Sequence, residues 1–351
     1  MTPLEQDLVD LLQIESPTGQ EQRLVLHLYR RLQAAKHLSL NQQGLTLVYS
    51  TEQDSSKPTL ALLGHTDTIA APYAAPQVLD DKIVGLGASD MKGGLAVMLR
   101  ILEEYNAAQV RFNLVGIFYD REEGPYAENG LGPALEQFRF LRNLNLALVL
   151  EPTDNQLQVG CLGALHAKVT VPGKAAHSAR PWQGENALHR AWPLLQKLDQ
   201  LQPVRHQISG LEFFEVLSAT QAATNNSRNV VPPGLQLNLN YRFAPGKPLE
   251  QACSELRDFV GPGIELEFVD QCPSGKVVQN NPILDELANR FSLKREGKQA
   301  WTDIARLGDY GLDAANFGPG QPAQAHQQGE WISRAALAAH YQMLQQFLYF
   351  P

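Results

Sequence analysis

The run Thr59-Leu60-Ala61-Leu62-Leu63-Gly64-His65-Thr66-Asp67-Thr68 decides how the chain is read. Ala61-Leu62-Leu63 is apolar without a break, as in a strand covered on both faces, and such strands belong to sheets flanked by helices. Working outward, residues 45–50 form a second β-rich run, residues 112–119 a third, and residues 146–150 another buried strand. Residues 93–105 read as a helix between them. Upstream, Thr2-Pro3-Leu4-Glu5 is a capping box with proline at the first helical position, and Leu8, Leu11 and Leu12 continue at helical spacing. Thr18-Gly19-Gln20-Glu21 reads as a second box ahead of Leu24, Leu28 and Leu32. Strands alternating with helices predict an α/β domain with a mixed, largely parallel sheet.

Near residue 160 the pattern changes. Residues 167–171 alternate, residues 184–201 keep helical spacing, and Leu235, Leu237, Leu239, Tyr241 and Phe243 alternate without interruption. Period-two alternation marks one buried and one wet face, the habit of antiparallel sheet. With a helix over 248–260 and a strand over 264–269, residues 165–272 are predicted to form an inserted two-layer α+β module. Residues 1–164 and 273–351 then make the first domain. A strand over 314–317 and an amphipathic helix over 333–350 complete it.

Composition narrows the function classes. The 351 residues suit two domains at roughly 100–200 residues each. Hydrophobic residues are 44% and charged residues 19%, so there is core material and no case for disorder. A net charge of -8 with no basic patch argues against nucleic acid. Cys161, Cys253 and Cys272 are odd in number and widely spaced, which fits a reducing cytoplasm better than a disulfide framework. The opening MTPLEQDLVD is acidic, unlike a secretory signal, and no apolar run approaches the roughly 18 residues a membrane span needs. The expectation is a soluble, cytoplasmic, globular protein.

Ligands of open α/β sheets gather beyond the carboxyl ends of the strands. His65 stands at such an end. Asp67, two residues on, points to the same side of an extended chain, where a carboxylate can orient a metal-binding imidazole. Read alone, this is more often a polar loop. Gly85-Leu86-Gly87-Ala88-Ser89-Asp90-Met91-Lys92-Gly93-Gly94 is glycine-rich but matches no phosphate-loop pattern. Its glycines allow something to approach beside Asp90, which is otherwise a helix N-cap. Glu122-Glu123 follows the third strand, and adjacent carboxylates there call for a neutralising cation or else form a solvated acidic turn. Glu151 ends the next strand, and His326 lies in a polar loop after Phe317-Gly318-Pro319-Gly320. Two His, an Asp and two Glu form a mixed nitrogen and oxygen set suited to two Zn²⁺ ions, with Glu122 left over as a general base.

The order of these motifs resembles the M20 family of di-zinc peptidases and amidohydrolases, over the whole chain. Within it, Phe118-Tyr119-Asp120-Arg121-Glu122-Glu123, Ala176-His177-Ser178-Ala179-Arg180 and Tyr241-Arg242-Phe243-Ala244-Pro245 are most similar to the actinobacterial type of succinyl-diaminopimelate desuccinylase. The resemblance implies a zinc-peptidase-like catalytic domain and an inserted lid/dimerisation domain. It implies one zinc on His65 and Glu151, the other on Glu123 and His326, with Asp90 bridging, Glu122 as base and Asp67 orienting His65. Co²⁺ is the expected substitute metal. In the implied homodimer His177 reaches the partner's active site, while Asn229, Arg242, Thr302 and Gly318 contact substrate. Two positions depart from the family pattern: Arg121 stands where a small residue or cysteine is expected, and Thr302-Asp303-Ile304-Ala305-Arg306 replaces a Thr-Ser-Asp-Gly-Arg run. The implied reaction is hydrolysis of N-succinyl-LL-2,6-diaminopimelate. The alternatives are another family activity, of the acetylornithine deacetylase or aminoacyl carboxypeptidase type, and a non-catalytic metal-binding relative.

Overall fold

The computed structural model describes residues 1–349. They divide into two compact units: residues 1–159, 278–296 and 306 onward, and Gly160–Val277 with Gly297–Ala305.

An eight-stranded mixed sheet runs in the order Leu38–Gln43, Thr46–Thr51, Asn113–Tyr119, Thr59–His65, Leu146–Val149, Ala314–Asn316, Leu157–Cys161, Arg295–Lys298. The four strands from Asn113–Tyr119 to Ala314–Asn316 are mutually parallel. Leu38–Gln43 with Thr46–Thr51, Thr46–Thr51 with Asn113–Tyr119, and Ala314–Asn316 with Leu157–Cys161 pair antiparallel, so the sheet is mixed, as expected, with its parallel strands at the centre. The reason at one edge is local. Only two residues separate Gln43 from Thr46, a hairpin that antiparallel strands alone can use, and Gly44 supplies its left-handed turn with φ 57°.

Leu60 to Leu63 and all of Asn113–Tyr119 are buried, as double-sided coverage requires. Register then sets the site. His65 lies opposite Tyr119, and Leu63 opposite Val149, so His65, the turn after Tyr119 and Glu151 emerge at one end of the sheet. The helix Gly93–Glu103 packs closely there. A Cβ on Gly94 would fall 2.5 Å from the Leu150 carbonyl oxygen, and one on Gly93 2.6 Å from Ile332 Cδ1. These glycines therefore admit the protein's own backbone and core, not a bound group.

The first capping box forms: Thr2 Oγ1 accepts from the Glu5 amide at 3.3 Å and Glu5 Oε2 from the Thr2 amide at 2.6 Å, heading the helix Pro3–Leu12. The second does not. The helix Gln22–Leu32 has no side-chain cap, because Thr18 Oγ1 donates instead to Asp67 Oδ2 at 3.0 Å. The closing helix is Arg334–Tyr349, and the Phe350 end of the predicted helix lies outside the described residues.

The second unit contains a five-stranded antiparallel sheet in the order Val204–Ile208, Leu211–Ala223, Gly234–Phe243, Gly163–Pro172, Glu265–Cys272. Leu235, Leu237, Leu239, Tyr241 and Phe243 point into a core shared with Ala187, Ala191, Leu194, Ala252 and Leu256, giving the two layers. The helix expected over 184–201 is two helices, Ala187–Arg190 and Trp192–Asp199, because Pro193 restarts the helix at its first turn. Residues 297–305, assigned by sequence to the first domain, join this unit. Gln299 Oε1 accepts from the Phe214 amide and its Nε2 donates to the Phe214 carbonyl, and Trp301 Nε1 donates to the Pro273 carbonyl at 3.0 Å. All three cysteines are buried, and none forms a disulfide among the described residues. Among the described residues no helix is long and apolar enough to cross a membrane.

Candidate metal centre

His65, Asp90 and Glu123 bring ligand-type atoms within 4.8 Å of one another at this sheet end. His65 is 1% exposed. Its Nε2 lies 3.2 Å from Asp90 Oδ1 and 3.6 Å from Glu151 Oε1. The second imidazole, His326, is half-exposed on a residue with φ 61°. Its Nε2 lies 2.8 Å from Glu123 Oε1 and 3.7 Å from Asp90 Oδ2. Asp90 thus offers one oxygen to each imidazole, standing between a His65–Glu151 side and a His326–Glu123 side.

Asp67 serves the site differently from the sequence expectation. His65 Nδ1 is nearest the Asp67 main-chain carbonyl, at 2.9 Å, with the carboxylate Oδ1 at 3.5 Å. The carboxylate is aimed mainly at the next strand end. Oδ1 accepts from the Glu122 amide and Oδ2 from the Glu123 amide, both at 3.0 Å. Asp67 therefore ties the His65 strand to the turn that carries both glutamates. Arg121 enters that turn with φ 59°, and its guanidinium faces Asp120 and Glu128, each at 3.8 Å.

Charge explains what the cluster wants. Burial alone would lower the His65 pKa, but bonding to Asp67 and Asp90 and the nearby Glu122 charge raise it well above 6.5. The hydrogen bond to Glu123 raises His326 to about 9. Protons on two imidazoles thus supply the positive charge that these carboxylates demand. A divalent cation meets the same demand with the same donors, and mixed imidazole and carboxylate sets suit zinc. The residues present fit a metal pair.

Of the other expected residues, His177, Asn229, Arg242 and Thr302 belong to the second unit and Gly318 to the first. In the second unit, His177 is exposed, with Nδ1 accepting from the Ala179 amide at 3.0 Å, and Asn229 is exposed with its carbonyl taking the Ser178 amide. Arg242 is half-buried on the polar face of its strand, its Nε donating to Asn240 Oδ1 at 2.9 Å. Thr302 is buried, its carbonyl accepting from the Ala305 amide. Gly318, in the first unit, has its N–H and C=O both engaged by the Thr153 hydroxyl. A Cβ there would lie 2.3 Å from the Leu150 and Glu151 carbonyls. Its role in the structure is close seating of a loop on the Glu151 strand end.

Two residues at this site escaped the sequence reading. Thr18, taken for a helix cap, holds the Asp67 carboxylate. Glu330, 2% exposed, holds the Asp90 loop through three backbone amides. For Glu330 the only local signal was an acidic residue one helical turn's length after His326.

A parallel-centred sheet whose strand ends converge on imidazoles and carboxylates, with a separate antiparallel unit, defines a class of metallohydrolase. The chain belongs to peptidase family M20/M25/M40, whose model matches residues 61–349, and it is a metal-dependent amidohydrolase. It is 31% identical over 340 residues to the succinyl-diaminopimelate desuccinylase of Corynebacterium glutamicum, covering 93% of this chain and 90% of that one. In fold it is similar to a tripeptidase from Staphylococcus aureus, with a TM-score of 0.81, 19% identity and coverage of 99% and 97%. It is also similar to the YXEP protein of Bacillus subtilis, described as a dinuclear metal-binding peptidase, with a TM-score of 0.70, 13% identity and coverage of 98% and 96%.

Proposed function

We propose that this amidohydrolase cleaves N-succinyl-LL-2,6-diaminopimelate to succinate and LL-diaminopimelate, a step of lysine synthesis, in the cytoplasm. The observation that carries the reading is Asp90, whose two carboxylate oxygens face two imidazoles on opposite sides. His65 and Glu151 would hold one zinc ion, His326 and Glu123 the other, and Asp90 both, with Co²⁺ as substitute. Bound there, the metal lowers the pKa of water and polarises the substrate carbonyl. Glu122, beside these ligands yet outside the set, takes the proton of the attacking water. It then delivers that proton to the amine nitrogen as the carbon–nitrogen bond breaks, leaving succinate and a free amine. Asp67 keeps Glu122 in place through its main-chain amide.

Residues 165–272 act as lid and dimerisation domain. The strand Leu211–Ala223 pairs with Val204–Ile208 only up to Glu215, so among the described residues its far half has a neighbour on one side alone. Such an edge suits pairing with a second copy. In that homodimer His177 enters the partner's site, and Asn229 and Thr302 contact substrate. Arg242 reads the succinyl carboxylate, which a guanidinium pairs in bidentate fashion.

The test is kcat/KM for succinyl- against acetyl-diaminopimelate in wild type and Arg242→Ala. Losing a desolvated partner of a carboxylate costs ~2–5 kcal/mol, so the succinyl preference should collapse in the variant. A wild-type preference for acetyl overturns the substrate. A preference that survives Arg242→Ala unchanged assigns acyl recognition to another residue.

A further inference from the structure

Glu330 is a buried acidic residue that the proposed chemistry does not use, yet both its carboxylate oxygens and its main-chain carbonyl are turned on the loop that carries Asp90. Its Oε2 accepts from the Gly87 amide at 2.7 Å. Its Oε1 accepts from the Ser89 amide at 2.7 Å and the Asp90 amide at 2.8 Å. Its main-chain carbonyl takes the Gly85 amide at 2.9 Å. A carboxylate accepting several backbone N–H groups makes charge-assisted bonds, which are roughly twice as strong as neutral ones. A side chain 2% exposed has no water to fall back on.

The surroundings extend this clamp. Gly87 turns with φ 84°, and the next five residues, Ala88–Lys92, form a single wide turn with Asp90 and Met91 outside helical geometry. The Lys92 amide closes that turn onto the Gly87 carbonyl at 2.7 Å. The strand Trp331–Ser333, next after Glu330, pairs antiparallel with Lys82–Val84. Ser89 Oγ donates to the Trp331 carbonyl at 2.8 Å and accepts from the Gln321 amide at 3.2 Å. The loop that presents His326, four residues before Glu330, is thereby anchored to the loop that presents Asp90.

We propose that Glu330 is a positioning residue for the metal pair: its carboxylate, through the amides of Gly87, Ser89 and Asp90, sets where the Asp90 side chain stands relative to His326. This rests on the metal-centre reading above. Glu330 touches neither substrate nor metal. What it fixes is the one residue that must serve both sides of the centre, so its loss should be felt as metal affinity before it is felt as loss of fold.

Three measurements on the full-length protein test this. Zn²⁺ alone is titrated into metal-free wild type, Glu330→Gln and Glu330→Asp. Amide hydrogen exchange of residues 85–92 is followed in the metal-free state, and kcat and KM are taken at saturating zinc. Partners that orient metal ligands typically govern about 10–100-fold in affinity, so Glu330→Gln should bind zinc ~10–100-fold more weakly. Exchange should accelerate within 85–92 and not across the sheet, and kcat should fall while KM stays within a few-fold. Glu330→Asp, which keeps the charge one methylene short, should recover part of each effect. Wild-type zinc affinity in Glu330→Gln overturns the proposal. Loss of fold in both variants also overturns it, since Glu330 would then be a general structural residue. If wild type itself binds no zinc, the metal centre fails instead, and the exchange data still decide whether Glu330 holds the loop.

Discussion

Replacing Asp67 by Asn removes one oxygen and one charge from the point where two strand ends are joined. Three donors converge on this carboxylate: the amides of Glu122 and Glu123 and the hydroxyl of Thr18, each at 3.0 Å. Asparagine has one oxygen to offer them, and its amide nitrogen must face a donor on the other side. If the oxygen keeps Glu122, the Glu123 amide is orphaned; the reverse choice orphans Glu122. An unsatisfied buried donor costs ~1–3 kcal/mol, and the bonds retained lose their charge assistance. The expected destabilisation of metal-free protein is therefore about 2–4 kcal/mol, or roughly 2–4 °C in Tm for each kcal/mol in a unit of this size. The turn that carries the base should loosen with it, so activity should fall together with stability. Thr18→Val, which removes one hydroxyl and leaves both amide bonds, should cost only ~0.5–1.5 kcal/mol. The assay is thermal and urea unfolding under chelation, beside kcat under saturating zinc. An Asp67→Asn protein with wild-type Tm and kcat would show that the three bonds carry no weight.

His340 is fully buried, with Nδ1 donating to Asn155 Oδ1 at 2.9 Å and the ring 4.4 Å from Phe317, and burial lowers its pKa to about 3. A folded pKa below the unfolded 6.5 means that its contribution is complete above pH 6.5 and declines as pH falls towards 3, by ~1.4 kcal/mol per unit. Relative to His340→Gln, wild type should lose about 2 kcal/mol between pH 7.5 and pH 5; a difference that does not vary with pH contradicts this. Gly94→Ala places a methyl 2.5 Å from the Leu150 carbonyl oxygen, one residue before Glu151. It should cost ~1–3 kcal/mol and weaken zinc binding, and unchanged values in both measurements refute the tight seating. Mixing His177→Ala with Glu122→Gln subunits should restore activity through heterodimers with one complete site, and exchange without recovery rules out a role in the partner's cleft.

Much of the candidate centre was legible because strand ends in an α/β sheet are predictable places. His65, Glu122, Glu123 and Glu151 each follow an apolar run, and parallel register levels the ends of those runs. His326 had no such frame, lying in a polar loop, and was read only as the second imidazole that completes the donor set. What stayed hidden depends on partners far along the chain. Glu330 acts on amides some 240 residues away, and Thr18 on a carboxylate 49 residues away, so neither bond leaves a local pattern. In Thr18 a correct local motif lost to a tertiary partner. The strand Leu211–Ala223 was missed because its second half, Ser218 to Ala223, is exposed and made of small and polar residues, so no buried face imposes alternation. The edges of the main sheet turned antiparallel where chain connections are too short for crossovers, which burial patterns do not record.

The most direct test is Glu122→Gln, reconstituted with zinc, with metal content and succinate release from N-succinyl-LL-2,6-diaminopimelate measured on one preparation. Two zinc ions per chain, as in wild type, with a rate lower by ~10²–10⁴-fold, is the result expected of a base that stands beside the metals and binds neither. Full zinc with a rate within a few-fold of wild type would contradict it, and so would a wild type that holds two zinc ions and releases no succinate.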